Sequence, residues 1–201
     1  MLLALDYPAL ELVLVDDRSD DGTGAIVRGP AAHDPRVQVV EVHSVPRGWV
    51  GKNHALMRGA ERATGEWLLL TDADVHLDQG EVKVCVTHAV RDGLDHLTLA
   101  PTVRSSSYLL GGLVCMFAYS LMLFRMPQYA EWKRSPSFMG IGAFNLVRRD
   151  VYRAIGTHAA LSNRPDDDLQ LGRLVKRMGF RQDFATGSTS PRSSGTRASG
   201  R

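Results

Sequence analysis

Apolar and polar positions along this chain fall into short blocks of two kinds. Residues 10–15 (LELVLV) and 37–42 (VQVVEV) are short β-branched runs of strand length, and 66–71 (EWLLLT) and 96–101 (HLTLAP) read as further strands. Between them, 51–64 (GKNHALMRGAERAT) sets small residues on one face and predicts a helix. Residues 81–90 (EVKVCVTHAV) predict another, although the valines would also suit a strand. In 164–180 (RPDDDLQLGRLVKRMGF), Leu169, Leu171, Leu174, Val175 and Met178 make a broad apolar helix face. Such strand–helix alternation predicts an α/β fold with a mostly parallel twisted sheet flanked by helices. Ligands of such sheets bind beyond the carboxyl ends of the strands. Two acidic clusters, Asp16 with Asp17 and Asp72 with Asp74, fall at those ends.

Two regions break the pattern. Residues 105–124 carry no charge, and Arg104 and Arg125 bracket them. That length could cross a bilayer, but a Gly-Gly pair and several serines interrupt it, so a buried or membrane-interfacial segment is expected rather than a span. Residues 188–201 are rich in Ser, Arg and Gly and too poor in apolar surface to repay their ordering, so a disordered tail is expected. The first strand begins almost at residue 1 with nothing before it to pair with, and a truncated or frameshifted fragment is the expectation. With 201 residues, 44% of them hydrophobic, the remainder (1–187) should form one domain. The net charge of +2 gives no argument for nucleic acid. Cys85 and Cys115 sit in apolar runs and read as reduced core thiols. The N-terminus has no signal-peptide pattern.

Each chemical motif has a structural reading beside it. In VDDRSDDGT (15–23), Asp17, Ser19, Asp21 and Gly22 match the opening of a calcium-binding EF-hand loop, but its twelfth position is Arg28 where a bidentate Glu is required. Helix capping accounts for Ser19, Asp20 or Asp21. It does not account for Asp16 and Asp17, which are candidate ligand contacts. In PRGWVGKNHAL (46–56), Pro46 and Asn53 break the phosphate-loop pattern. A glycine turn remains, with Lys52 and Asn53 opening a helix. That arrangement suits an anion such as a diphosphate, and equally an ordinary solvated lysine. In TDADVH (71–76), Asp72 and Asp74 are hard oxygen donors two residues apart, suited to Mg²⁺ or Mn²⁺ shared with substrate phosphate. His76 reads as a structural residue. At the last helix, Asp166, Asp167 and Asp168 lie at the positive end of the dipole. Three carboxylates exceed what capping needs, and neighbouring like charges raise one another's pKa, as suits a general base.

Taken in order, VDDRSDDGT, GWVGKNHAL, WLLLTDADVH, GAFNLVRRDVYRAIG and DDDLQLGRLVKRMG resemble the inverting family 2 glycosyltransferases. Within that family the likeness is to bacterial membrane-associated members linked to hopanoid and ceramide-type glycolipids. The resemblance covers roughly residues 2–184. It implies a GT-A fold and a nucleoside diphosphate sugar donor, a UDP-sugar first among them, with a hydroxyl acceptor that includes lipids. It also implies attachment to a membrane surface on the cytoplasmic face. The family pattern assigns Asp16 and Asp17 to the nucleoside, and Asp72 and Asp74 to the diphosphate through a divalent metal. Its Glu/Asp-Asp-x-x-Leu motif lands on Asp167, Asp168 and Leu171, making Asp168 the base, and GIGAFNLVRR would line the acceptor side. The family's first strand, and its aromatic-basic motif after the late helix, have no counterpart here. Two other classes stay open at this stage: a paired-carboxylate glycoside hydrolase, and a non-catalytic fragment that binds nucleotide or membrane.

Overall fold

The computed structural model describes residues 2–100 and 135–186 continuously and, between them, 108–109, 112–113, 116, 119–120, 123, 126, 129–130 and 132. After a 3₁₀ turn at Leu2–Ala4 come β1 (Leu12–Asp17), α1 (Thr23–Ala31), β2 (Val37–Val42), α2 (Gly51–Arg62), β3 (Trp67–Leu70), α3 (Glu81–Arg91) and β4 (His96–Ala100). The order continues with β5 (Asn145–Arg148), α4 (Arg149–Ala154), a 3₁₀ turn (His158–Leu161), α5 (Asp167–Arg177) and β6 (Gln182–Thr186).

β1 and β2 form a parallel pair whose ladder runs from Leu12↔Val37 to Asp17↔Val42. Pairing therefore carries β1 two residues past the apolar run, and Asp16 and Asp17 are its last two residues rather than the turn beyond it. The other four strands form a sheet in the order β3-β5-β4-β6. β5 is antiparallel to both β3 and β4, and β6 is parallel to β4. Three of these four strands thus share one direction, and β5 alone is reversed.

Alternation on β5 divides the core. Leu146 joins Val82, Cys85, Val86 and Ala89 of α3 on one face, and Val147 joins Val151, Leu171 and Val175 of α4 and α5 on the other. The buried positions of α3 recur at helical spacing, which decides its ambiguous valines. The α5 stripe is narrower than its sequence suggests: Leu171 and Val175 are buried, whereas Met178 is exposed because the helix has ended at Arg177. Cys85 is a buried free thiol, and burial pushes its pKa up to about 12. Cys115 and the 188–201 tail lie outside the described residues.

Within the uncharged segment, Tyr108, Leu109, Leu113, Met116, Tyr119 and Leu123 are helical and all more than half exposed. Among the described residues no helix is long and apolar enough to cross a membrane.

Candidate active site

Four pieces of chain meet at the end of β3: the first turn of α2, the Asp72 turn, residues 139–144 leading into β5, and the first turn of α5. Lys52 Nζ lies 2.8 Å from Asp72 Oδ1, with both side chains about 40% exposed. Burial lowers the Lys52 pKa, but the bond to Asp72 and the charges of Asp167, Asp72 and Asp168 outweigh it and leave the ammonium raised. Opposite stands Asp168, whose Oδ2 accepts the Gly142 N–H at 2.7 Å and whose Oδ1 accepts the Leu169 N–H at 2.7 Å. Burial drives its carboxyl pKa up. The two backbone donors and Lys52 oppose that, the Asp167 charge adds to it, and the net shift is upward.

Glycines make this convergence possible. A Cβ on Gly142 would lie 2.9 Å from Asp72 Oδ2, 3.1 Å from Lys52 Nζ and 3.4 Å from Asp168 Oδ2. A Cβ on Gly140 would run into the Asp168 carbonyl, and one on Gly172 into the Met139 carbonyl. The 139–142 strip is thus pressed backbone-to-backbone against α5, with Gly142 at the point where Lys52, Asp72 and Asp168 face one another. The cavity these groups enclose measures about 10 Å³, room for a hydroxyl or one water.

A wider cleft of about 320 Å³ opens between the end of β1 and α1, lined by Asp16, Arg18, Ser19, Gly24 and Arg28 among others. Asp16 Oδ1 accepts the Ser19 N–H at 3.2 Å. Asp17 turns the other way. Its Oδ2 lies 2.9 Å from where a Gly51 Cβ would stand, so it abuts the turn that carries Lys52. The Arg18 hydrogen bond lowers its pKa against a smaller effect of burial, with the Arg18 and His54 charges adding to the lowering. Asp21 is the capping residue, accepting the Thr23 N–H at 3.0 Å.

Asp74 is exposed, and no hydrogen bond or ion pair engages its carboxylate among the described residues. His76 Nδ1 contacts the Asp74 backbone carbonyl at 3.2 Å, as its structural reading expects. Among the described residues no three His, Cys, Asp or Glu side chains cluster in a way that could hold a metal.

Asn53 behaves differently from the anion contact its sequence position suggests. It is fully buried, and its Nδ2 donates to the carbonyls of Leu161 (2.5 Å) and Arg164 (2.8 Å), tying α2 to the segment ahead of α5. Asp167 is likewise inside the fold, 3.5 Å from His158 Nε2, while Asp166 points to Arg164 and Gln170 at the rim. Sequence reasoning missed His158, Tyr152 and the pair His96–Asn145. His96 is wholly buried, burial pushes its pKa down to about 4, and its Nε2 meets Asn145 Oδ1 at 2.9 Å. The available signal was polar residues inside otherwise apolar stretches.

The profile described as "Glycosyltransferase like family 2" matches residues 1–198. The poly-beta-1,6-N-acetyl-D-glucosamine synthase of Staphylococcus epidermidis is 26% identical over 162 residues, covering 77% of this chain and 36% of its own length. The glycosyltransferase GlyG of Streptococcus pneumoniae is 23% identical over 179 residues, covering 86% of this chain and 58% of its own. The chain thus spans only part of the curated relatives it matches. Among solved structures, TarS of S. aureus superposes with a TM-score of 0.60 at 13% identity, over 94% of this chain and 32% of that one. Glucosyl-3-phosphoglycerate synthase of Mycobacterium tuberculosis, in complex with Mn²⁺, UDP-glucose and phosphoglyceric acid, does so at 0.55 and 16% identity, over 92% and 61%. These likenesses show the GT-A fold.

Proposed function

The chain belongs to the glycosyltransferase like family 2, and on that premise we propose that it transfers a sugar from a nucleoside diphosphate sugar to an acceptor hydroxyl with inversion. The observation that carries this reading is the half-buried Asp168, its pKa raised, pinned by the Gly142 amide and facing the Lys52–Asp72 pair. A carboxylate so placed can take the proton of an acceptor hydroxyl entering beside it, and general-base assistance of this kind is worth roughly 10²–10⁴-fold in rate. Lys52, at the first turn of α2, supplies positive charge toward a leaving diphosphate. The cleft at Asp16 would take the nucleoside, with Asp17 joining it to the α2 turn.

Asp72 and Asp74 fit a divalent cation of the magnesium or manganese type. They are hard oxygen donors on one turn, Asp74 has no other partner among the described residues, and such ions complete their shell with water and phosphate oxygens. Bound there, the ion would offset charge developing on the leaving diphosphate. UDP-sugars are the donors of choice here, since TarS and the mycobacterial synthase have been solved with UDP-GlcNAc and UDP-glucose respectively. The hydrolase alternative has no observation in its favour.

The exposed apolar residues of the 108–123 stretch support a lipid acceptor and contact with a membrane surface, in keeping with the hopanoid- and ceramide-linked likeness. Leu113→Glu with Met116→Glu should weaken co-sedimentation with lipid vesicles, and undiminished co-sedimentation would remove the membrane reading. For the donor site, Asp74→Ala should abolish manganese-dependent thermal stabilisation by UDP at an unchanged ligand-free melting temperature. Unchanged UDP affinity and metal dependence in that variant would refute the assignment.

A further inference from the structure

Tyr152, His158 and Asp167 form a file of polar side chains inside the fold, exposed by only 3%, 1% and 4%. Tyr152 packs in an apolar cluster with Val151, Ile155, Leu161 and Leu171, while His158 and Asp167 border the small cavity that Lys52 also lines. A carboxylate in such a place is costly unless a donor meets it. His158 Nε2 stands at ion-pair distance from that carboxylate, and the Tyr152 contact orients its ring. The Tyr152 oxygen accepts the His158 backbone N–H at 3.2 Å and lies 2.7 Å from His158 Nδ1. A phenol has a single proton. With a backbone N–H already pointing at its oxygen, that proton is aimed at Nδ1. Nδ1 therefore accepts, the ring proton sits on Nε2, and Nε2 faces Asp167 Oδ2 at 3.5 Å. The file runs one way, from Tyr152 through His158 to Asp167.

Asp167 is the first residue of α5 and Asp168 the second. We infer that His158 is a positioning residue: by holding the Asp167 carboxylate it fixes the first turn of α5, and with it the direction in which Asp168 meets Gly142 and Lys52. Asp167 is then an anchor inside the protein and not a second base. The inference rests on the reading of Asp168 as the base, and it assigns distinct tasks to two adjacent aspartates that the sequence motif cannot tell apart.

Two substitutions in the full chain separate positioning from bulk stability. In His158→Asn the short side chain can still accept from Tyr152 but cannot reach Asp167. In His158→Gln it can reach Asp167 with an N–H. The readouts are thermal stability, the Gly142 amide resonance and its hydrogen exchange, which report the bond to Asp168 Oδ2 directly, and UDP release from UDP-glucose. Both variants should lose stability. His158→Asn should move the Gly142 resonance, speed its exchange and lower kcat by about tenfold or more at unchanged KM, whereas His158→Gln should restore all three to within about threefold. A wild-type Gly142 resonance and kcat in His158→Asn would overturn the inference. So would indistinguishable behaviour of the two variants in every readout. Wild-type UDP release by Asp168→Asn would instead sink the base reading, leaving the Gly142 resonance to judge the His158 file by itself.

Discussion

Gly142→Ala should leave the fold almost intact and disable the site. The added Cβ would stand 2.9 Å from Asp72 Oδ2 and 3.1 Å from Lys52 Nζ, so the carboxylate must retreat by about 0.5 Å to reach the 3.4 Å of ordinary contact. Both neighbours are the free ends of partly exposed side chains, and the backbone of Gly142 needs no left-handed conformation, so the fold can yield cheaply. A surface pair such as Lys52–Asp72 is worth about 0–1 kcal/mol. At roughly 2–4 °C per kcal/mol for a chain of this size, the melting temperature should fall by no more than about 4 °C. Turnover is far less tolerant, since displacement approaching 1 Å in a reacting constellation can cost about 100-fold. Gly140→Ala is the internal control. Its Cβ meets the Asp168 carbonyl, a backbone atom that cannot step aside. Overpacking of that kind costs about 1–3 kcal/mol or more, or roughly 2–12 °C. Scanning calorimetry and UDP release from UDP-glucose, run on both variants, measure the contrast. A Gly142→Ala protein as destabilised as Gly140→Ala, or one with wild-type turnover, would refute the reasoning.

Asp168→Asn should bind UDP normally and lose about 10²–10⁴-fold in transfer, while Asp166→Asn, whose side chain faces Arg164 and Gln170, should retain most of it. The raised pKa of Asp168 means that the folded state holds its proton above 3.8, so this group's contribution to stability is lost as pH rises from 3.8 through the raised value. Denaturation curves should show that slope diminished in Asp168→Asn, and the acid limb of the wild-type rate profile should lie above pH 3.8. Asn53→Ala should lower stability by about 1–3 kcal/mol, because the Leu161 and Arg164 carbonyls lose the amide that ties them to α2. Its UDP affinity, by titration calorimetry, should change little, and a loss of affinity without loss of stability would return Asn53 to the list of ligand contacts.

Local pattern carried much of the fold. Val37–Val42 was readable to the residue because four β-branched valines fall within its six residues. The α3 register followed from helical spacing once the valines had a sheet to face. β5 was not readable as a strand, since four residues acquire that role only by sitting between β3 and β4, partners distant in sequence. At the site, the identities of Asp72 and Asp168 were visible as motifs, but their meeting across Gly142 depends on β5 and α5 being docked. Asn53 misled because Lys-Asn at a helix start looks the same whether the amide faces solvent or the loop at Leu161 and Arg164. Tyr152 and His158 were overlooked because nothing in six residues of spacing announces a shared hydrogen bond.

The reversed β5 also bears on how the chain is made. β3 and β4 leave the ribosome in succession, yet neither pairs with the other; their common partner follows only after residues 101–144. Until residue 148 has emerged, a nascent chain carries two unsatisfied strand edges beside an uncharged apolar stretch, the kind of surface that invites aggregation and chaperone capture. Chains truncated ahead of β5 should therefore fail as a class, however well their individual helices and strands are formed.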